Sequence, residues 1–246
     1  MKNYVLDAFC GTKNPEAFHE GIQRALDQIP PQGVFLGDNL FTFGRNLSFL
    51  DDEAFMAAVA RHAETLVEKA VIWRTHVVCW AARRALRLQG DLVECGCYKG
   101  VTARIVADVV ALGATGRRFY LYDLFEHDAA MAHHAMPEHS RELYDQACRR
   151  FADMPNVHVI KGKVPDSFAQ GAPDRIAFLH LDMNSAAAEL GALEALFARM
   201  APGAAIVFDD YGWLAYRDQK TAEDEFFARL GYQILELPTG QGLLIV

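Results

Sequence analysis

The sequence predicts an α/β fold in which a mostly parallel sheet of seven strands carries helices on both faces. From Gly90 onward, short apolar segments alternate with helical segments, a pattern typical of parallel strands joined by helical crossovers. Residues 232–237 and 243–246 flank a glycine-containing turn, which predicts a closing antiparallel hairpin. Residues 1–89 lack this alternation, so we expect a helical and irregular extension ahead of a body at residues 90–246.

The alternation gives each element its predicted range. Strands of the body are expected at residues 92–95, 118–123, 157–160, 175–182 and 204–209, followed by the hairpin strands. Helices are expected at residues 101–112, 140–151, 186–200 and 215–230. In the extension we expect an irregular stretch over residues 1–50 with one short helix at 16–28, then helices at 51–68 (capped by Asp51 or Asp52) and 71–88. The extension is expected to cover the active site at the ligand edge of the sheet.

The composition favours one large folded core and argues against charged macromolecular partners. The 246 residues are 52% hydrophobic and 23% charged, which excludes wholesale disorder. The net charge is −8, and no basic tract stands out. An acidic chain of this kind argues against nucleic acid or an anionic membrane as the main partner.

The five cysteines and the N-terminal sequence indicate the cellular compartment that we expect for the protein. The cysteine count is odd and the spacing irregular, so no disulfide framework is predicted. Cys95 and Cys97 are expected to be small residues around a tight turn rather than zinc ligands. No signal-peptide pattern and no apolar run of about 18–20 residues is present, so the expected location is the cytoplasm.

The turn after the first strand of the body predicts a nucleoside site. Gly96 and Gly100 would let the backbone turn sharply and approach a ligand. Glu94 can accept a hydrogen bond from an amine or a hydroxyl. Asp123, at the end of the second strand, is suited to the two hydroxyls of a ribose. An ordinary turn without a ligand is the alternative interpretation.

The same turn favours S-adenosylmethionine over NAD. Cys97 and Tyr98 stand where a dinucleotide fingerprint has bare glycine backbone. Glu94 would repel a pyrophosphate, whereas it would attract the amine of an amino-acid moiety. An NAD-dependent oxidoreductase is therefore a distant alternative.

Three carboxylates are expected at the carboxyl ends of the fourth and fifth strands. Asp182 ends one strand, and Asp209 and Asp210 end the next. Adjacent parallel strands would bring these acids together. A bound cation such as Mg²⁺ would offset the repulsion between their carboxylates. The metal would lower the pKa of an acceptor hydroxyl, and a carboxylate would take its proton. Capping of the following helix by Asp209 and Asp210 is the alternative, and His180 is expected to be a satisfied core histidine.

Five motifs in this order resemble the macrocin O-methyltransferase-like family of class I, S-adenosylmethionine-dependent sugar O-methyltransferases. They are VECGCYKG, YLYDLFE, IKGKVPDSF, LHLDMN and ALEALFARMAPGAAIVFDDYG. The resemblance covers residues 90–246 well and the extension weakly, through Thr42-Phe43-Gly44-Arg45. It implies a Rossmann-like methyltransferase domain with S-adenosyl-L-methionine and Mg²⁺ as cofactors, and a homodimer.

The resemblance also assigns roles residue by residue. It implies cofactor binding by Thr42, Glu94, Cys95, Gly96, Tyr98, Gly100, Asp123, Leu124, Gly162, Lys163 and Asp182. It implies metal binding by Asp182, Asp209 and Asp210, with Asp182 also the catalytic base. The chain departs from the family pattern where Lys163 replaces a tryptophan, where Asn184 replaces a second acid, and where a tyrosine is missing. These departures predict a remodelled acceptor pocket.

The sequence thus predicts a Mg²⁺-dependent O-methyltransferase acting on a hydroxyl of a small molecule, either a sugar or a glycoside. Methylation of a catechol or phenol is a chemically close alternative, and a non-catalytic S-adenosylmethionine-binding module is another. Tyr211 and Trp213 are expected either to flank the acceptor or to pack in the core. A polar stretch with four histidines is expected to be a solvated loop rather than a lid; these are His127, His133, His134 and His139.

Overall fold

The computed structural model describes residues 2–6, 8–126 and 139–246. Its contacts divide the chain into two compact units, Met1–His76 and Val77–Val246. This division falls before the predicted boundary at Gly90, within a helix that spans Ile72–Ala85. Among the described residues, no helix has the combination of length and apolar composition that crossing a membrane requires.

The N-terminal unit contains a small sheet that the sequence did not predict. Its strands are β1 (Tyr4–Val5), β2 (Phe35–Gly37) and β3 (Leu40–Thr42), with β2 parallel to β1 and antiparallel to β3. The expectation of an irregular stretch over residues 1–50 is therefore wrong. Strands of two or three residues are too short to show a periodicity. Asp38 and Asn39 form the β2–β3 turn with φ of 51° and 55°, the positive values that a two-residue hairpin turn needs.

The predicted helix 51–68 is two helices. The helices of this unit are α1 (Pro15–Leu26), α2 (Glu53–His62), α3 (Leu66–Ala70) and the start of α4 (Ile72–Ala85). Asp52 caps α2 by accepting from the Phe55 amide at 3.0 Å, as predicted. Ala63 is extended and ends α2. Thr65 and Glu68 then form a capping box that starts α3, since each satisfies an amide at the new helix start.

The second unit has the predicted sheet. Its order is β6-β5-β4-β7-β8-β10-β9, parallel through β8, with β10 antiparallel to both of its neighbours. The strands are β4 (Asp91–Cys95), β5 (Phe119–Asp123), β6 (Val157–Lys161), β7 (Ile176–Leu181), β8 (Met200–Phe208), β9 (Leu235–Glu236) and β10 (Gly242–Ile245). The helices are α5 (Val101–Val109), α6 (Arg141–Arg150), α7 (Ala186–Leu196) and α8 (Arg217–Arg229). The predicted fold class is confirmed.

The central strand β7 is fully buried and apolar except for one residue. All six of its residues are buried, as expected for a parallel strand covered by helices on both faces. His180 is the polar exception in this apolar run, with 1% of its surface exposed. A polar side chain in such a place must have hydrogen-bond partners.

A second buried polar group lies where α7 packs on α8. Gln219 of α8 donates to Glu189 of α7 at 2.9 Å, and the same Glu189 oxygen accepts from the Met183 amide at 3.1 Å. Glu223 of α8 is also buried. Burial, and then the neighbouring Glu189, raise the pKa of Glu223 to about 11. Glu223 is therefore neutral in the folded protein.

Replacement of Glu223 by Gln is expected to change how stability depends on pH. The folded-state pKa lies above the unfolded value, so the folded state holds an extra proton between about pH 4.5 and pH 11. The contribution of Glu223 to the free energy of unfolding is therefore complete below this pH range and decreases as the pH rises through it. The stability of Glu223→Gln relative to the wild type should therefore rise by about 4 kcal/mol between pH 5 and pH 8, at about 1.4 kcal/mol for each pH unit, measured by urea unfolding.

The matched control is Glu225→Gln, because Glu225 is exposed on the same helix. This variant should follow the wild-type pH dependence. If Glu223→Gln also ran parallel to the wild type at both pH values, Glu223 would be ionised in the fold and the assignment of its proton would be wrong.

Candidate active site

Three neighbouring parallel strands end level with one another at one edge of the sheet. Cys95 of β4 pairs with Leu181 of β7, and Leu181 pairs with Phe208 of β8. The main-chain ladder continues one residue further. The Asp182 amide donates to the Cys95 carbonyl and the Asp209 amide donates to the Leu181 carbonyl, both at 2.9 Å. Two of the predicted acids are therefore fixed side by side by backbone geometry.

The turn after β4 passes very close to the segment that carries Asp182. Gly96 has φ +93°, and a Cβ there would lie 1.9 Å from the Asp182 carbonyl oxygen. Its amide donates to the Tyr122 carbonyl at 2.8 Å. Gly100 begins α5 with φ +72°, and a Cβ there would lie 2.7 Å from the Phe151 ring. Both predicted turn glycines are thus needed by the fold itself.

Asp123 joins the turn to the end of β5. Its two carboxylate oxygens accept from the amides of Tyr98 and Phe125, each at 2.7 Å. Burial raises the pKa of Asp123, and these amides partly offset that effect. The Gly162 amide donates to the Asp123 carbonyl at 2.9 Å. Each carboxylate oxygen has a second lone pair, which is what hydrogen bonding to a ribose hydroxyl requires.

A buried chain of ionisable groups links the turn to the strand ends. Glu94 and His180 are register partners on β4 and β7, and His180 Nδ1 lies 2.8 Å from Glu94 Oε1. His180 Nε2 lies 3.5 Å from Asp209 Oδ1. Burial alone would lower the pKa of His180, but the bonds to Asp209 and Glu94 outweigh it and raise this pKa well above its usual value. His180 is thus a satisfied core histidine, as predicted, and it also connects two site acids.

The carboxylate cluster differs from the predicted set. Ligand atoms of His180, Asp182 and Asp209 lie within 4.8 Å of one another. The carboxylates of Asp182 and Asp209 offer the oxygen ligands that Mg²⁺ prefers, and His180 Nε2 is a candidate nitrogen ligand beside them. Asp210 lies outside this group. Its metal role stays a prediction.

The alternative interpretation of Asp209 and Asp210 as helix caps is wrong. The next α-helix, α8, starts at Arg217, and its N-cap residue Tyr216 makes no side-chain cap. The Asp210 carbonyl instead accepts from the Trp213 amide at 3.0 Å. These acids therefore precede a tight loop and do not serve a helix end.

The donor set fits both predicted cofactors. Two carboxylates on adjacent strand ends supply the oxygen ligands that Mg²⁺ prefers. Glu94 has 2% of its surface exposed, and its Oε2 is buried without a hydrogen-bond partner among the described residues. A buried carboxylate oxygen of this kind needs a donor, and the cationic amine of S-adenosylmethionine would be one.

The remaining predicted residues are placed as follows. Leu124 directly follows Asp123, and Lys163 is exposed beside Gly162. The thiol pKa of Cys95 is raised by burial and then by Glu94, so this residue offers its backbone and not a reactive sulfur. Cys97 is also free and buried, which confirms that neither cysteine belongs to a disulfide.

Thr42 belongs to the N-terminal unit, where it ends β3. Its Oγ1 is buried without a hydrogen-bond partner among the described residues. Its role in binding the cofactor stays a prediction, as does the predicted position of the extension. Of the four histidines after Asp123, only His139 lies within the described residues, and it meets the Tyr98 ring edge-on at 5.7 Å between centroids; His127, His133 and His134 lie outside them.

The loop that follows Asp209 is held by Tyr211, which takes the core position that was one of its two predicted places, and by Asp224, Lys220 and Gln241, which the sequence analysis did not single out. Tyr211 is a core residue with 4% exposure. Its hydroxyl donates to Asp224 Oδ1 at 2.5 Å and accepts from Lys220 at 2.8 Å. Gln241 donates to Asp209 Oδ1 at 2.8 Å. The only sequence signal for Gln241 was its place between two glycines in the hairpin turn.

Gly96→Ala is expected to destabilise the protein by about 2 kcal/mol or more, because the new methyl group would meet a backbone oxygen at a positive φ. Urea unfolding measures the loss. Gly113→Ala is the control, since a Cβ at Gly113 would have nothing within 4 Å. Equal stability of the two variants would show that the turn and the Asp182 segment are not in close contact.

Comparison with known proteins finds a family match over the central part of the chain. Residues 93–211 match the family described as "Methyltransferase domain". The chain is 30% identical over 145 residues to the 8-demethyl-8-(2,3-dimethoxy-alpha-L-rhamnosyl)-tetracenomycin-C 4'-O-methyltransferase of Streptomyces olivaceus. That match covers 52% of this chain and 56% of the relative, so the chain spans about half the length of the curated relative it matches.

Two solved structures share the fold at lower identity. The O-methyltransferase NovP has a TM-score of 0.60 at 18% identity, covering 74% of this chain and 81% of that one. CalS11, a TDP-rhamnose 3'-O-methyltransferase of calicheamicin biosynthesis, has a TM-score of 0.55 at 14% identity, covering 97% and 96%. Residues 93–211 are therefore similar to a methyltransferase domain, and the chain shares the Rossmann-like fold of these solved O-methyltransferases, as the sequence predicted.

Proposed function

We propose that this protein is an S-adenosylmethionine-dependent, Mg²⁺-dependent O-methyltransferase that methylates a hydroxyl of a sugar or glycoside. One observation carries the proposal. The turn after β4, proposed to bind the cofactor, and the Asp182–Asp209 pair lie at the same edge of the sheet, and His180 contacts both Glu94 and Asp209. The curated relative and CalS11, both named for methylation of rhamnose-type sugars, support a sugar acceptor over other hydroxyls.

The proposed binding site uses different residues for each part of the cofactor. Glu94 Oε2 would accept from the amine, and Asp123 would accept from the ribose hydroxyls. The remaining predicted contacts line the turn and the strand ends beside it: Cys95, Gly96, Tyr98, Gly100, Leu124, Gly162 and Lys163. S-adenosylmethionine would supply an activated methyl group, and Mg²⁺ held by Asp182 and Asp209 would lower the pKa of the acceptor hydroxyl.

The chain's own chemical task is to align the acceptor and to take its proton. In the proposed reaction the acceptor oxygen bonds to the methyl carbon as the carbon–sulfur bond breaks, and the hydroxyl proton passes to the Asp182 carboxylate. The products are a methyl ether, S-adenosylhomocysteine and a protonated Asp182. Alignment accounts for most of the rate enhancement, because the donor is already reactive.

Asp182→Asn is expected to lower kcat/KM by about 10²–10⁴-fold, because the amide has no carboxylate to take the proton. Its affinity for S-adenosylhomocysteine, measured by calorimetry, shows whether Asp182 also contributes to cofactor binding, as the resemblance implies. Asp174→Asn is the control, since Asp174 is exposed. Unchanged turnover in Asp182→Asn would remove this residue from the base role, and wild-type protein that bound no S-adenosylhomocysteine at roughly millimolar concentration would overturn the proposed activity.

An acceptor panel separates the proposed substrate class from the alternatives. Rhamnosides and other glycosides should be methylated in the presence of Mg²⁺, with catechols as the comparison set. Turnover of catechols alone would favour the phenol-type enzyme. Cofactor binding without turnover of any acceptor would favour a non-catalytic module. The homodimer, the cytoplasmic location and the lack of a nucleic-acid or membrane partner stay predictions from the sequence.

A further inference from the structure

The hairpin turn between β9 and β10 packs tightly against the loop that follows Asp209. The Gly212 amide donates to the Gly240 carbonyl at 2.8 Å. A Cβ at Gly240 would lie 2.3 Å from Trp213 Nε1, and a Cβ at Gly242 would lie 2.8 Å from the Tyr211 ring. Side chains would not fit at these two glycines, so the turn and the loop hold one fixed arrangement.

Gln241 lies in the middle of this contact and is completely buried, with 0% exposure. Its Oε1 accepts from the Thr239 hydroxyl at 3.0 Å, and its Nε2 donates to Asp209 Oδ1 at 2.8 Å. A hydroxyl donates where a carboxylate only accepts, so these two partners determine which way the amide faces. Thr239 is itself buried, which keeps water from competing for the Gln241 oxygen.

Gln241 and His180 approach the same carboxylate oxygen. Asp209 Oδ1 accepts from Gln241 Nε2 at 2.8 Å and lies 3.5 Å from His180 Nε2. The shorter bond comes from the hairpin. The Gln241 bond restrains the orientation of the Asp209 carboxylate, and outer groups of this kind orient metal ligands in many proteins.

We propose that Gln241 is a positioning residue that orients the Asp209 carboxylate for a divalent cation and so determines the affinity of the site for that cation. The inference rests on the proposed Mg²⁺ dependence. It assigns a role to the β9–β10 hairpin. This hairpin is separate from the turn after β4, and it lies beyond the family match, which ends at residue 211. Gln241 acts through Asp209 and touches no reacting atom.

The test is Mn²⁺ binding by the full-length protein in the absence of acceptor, followed by calorimetry or by electron paramagnetic resonance. Gln241→Met keeps the length of the side chain and removes the donor. It should weaken Mn²⁺ binding by about 10- to 100-fold, while S-adenosylhomocysteine affinity changes by less than about threefold. Turnover, where lost, should be restored by a higher Mg²⁺ concentration. Gln233→Met is the control, because Gln233 is exposed, and it should bind Mn²⁺ as the wild type does.

The outcomes separate this inference from the proposed function. Equal Mn²⁺ affinity in Gln241→Met and wild type would overturn the positioning role and leave the methyltransferase proposal intact. Wild-type protein that binds S-adenosylhomocysteine but no Mn²⁺ would overturn both the metal dependence and this inference. If Gln241→Met loses its cooperative thermal unfolding, Thr239→Val decides. That variant removes only the hydroxyl that orients the amide, and it should weaken Mn²⁺ binding several-fold; wild-type affinity there would overturn the role.

Discussion

The candidate site depends on the register of three parallel strands. β4, β7 and β8 are hydrogen-bonded neighbours whose ends lie level, so Asp182 and Asp209 leave the sheet side by side. A slip of one residue would turn every side chain of a strand to the other face. Glu94 would then lose His180, and Asp182 would move away from the turn at Gly96. The chemistry proposed here is thus a consequence of backbone pairing first and of side-chain identity second.

The register also solves an electrostatic problem. Acids that are gathered in a largely water-free place repel one another and are expensive to bury. His180 lies between two of them, with Nδ1 2.8 Å from Glu94 and Nε2 3.5 Å from Asp209. Gln241 adds a neutral donor to the same Asp209 oxygen. The site therefore tolerates its acids before any ligand arrives, and a cationic cofactor and a divalent ion would complete the charge balance.

The sequence predicted what depends on local pattern and missed what depends on contacts distant in the chain. Alternating apolar segments predicted the sheet, and acids at strand ends predicted Asp182 and Asp209. Gln241 was missed because its role requires β10 to lie beside β8, a pairing that brings Gly242 opposite Phe208 and that no local pattern encodes. The separation of Asp210 from the cluster was missed for a related reason, since only the geometry of the chain leaving β8 decides which of two adjacent acids faces the site.

The main-chain ladder that holds the two carboxylates would form with almost any side chain. The segments next to the two acids lie outside this ladder. Asn184 has φ +53°, a conformation that asparagine tolerates better than most residues, and Leu214 is 83% exposed just beyond the Asp209 loop. An exposed position such as Leu214 can change without disturbing the ladder, whereas Asn184 is restricted by its positive φ. Under the proposed function, loop residues of this kind could be exchanged to fit a different acceptor while the ladder that positions Asp182 and Asp209 keeps its geometry.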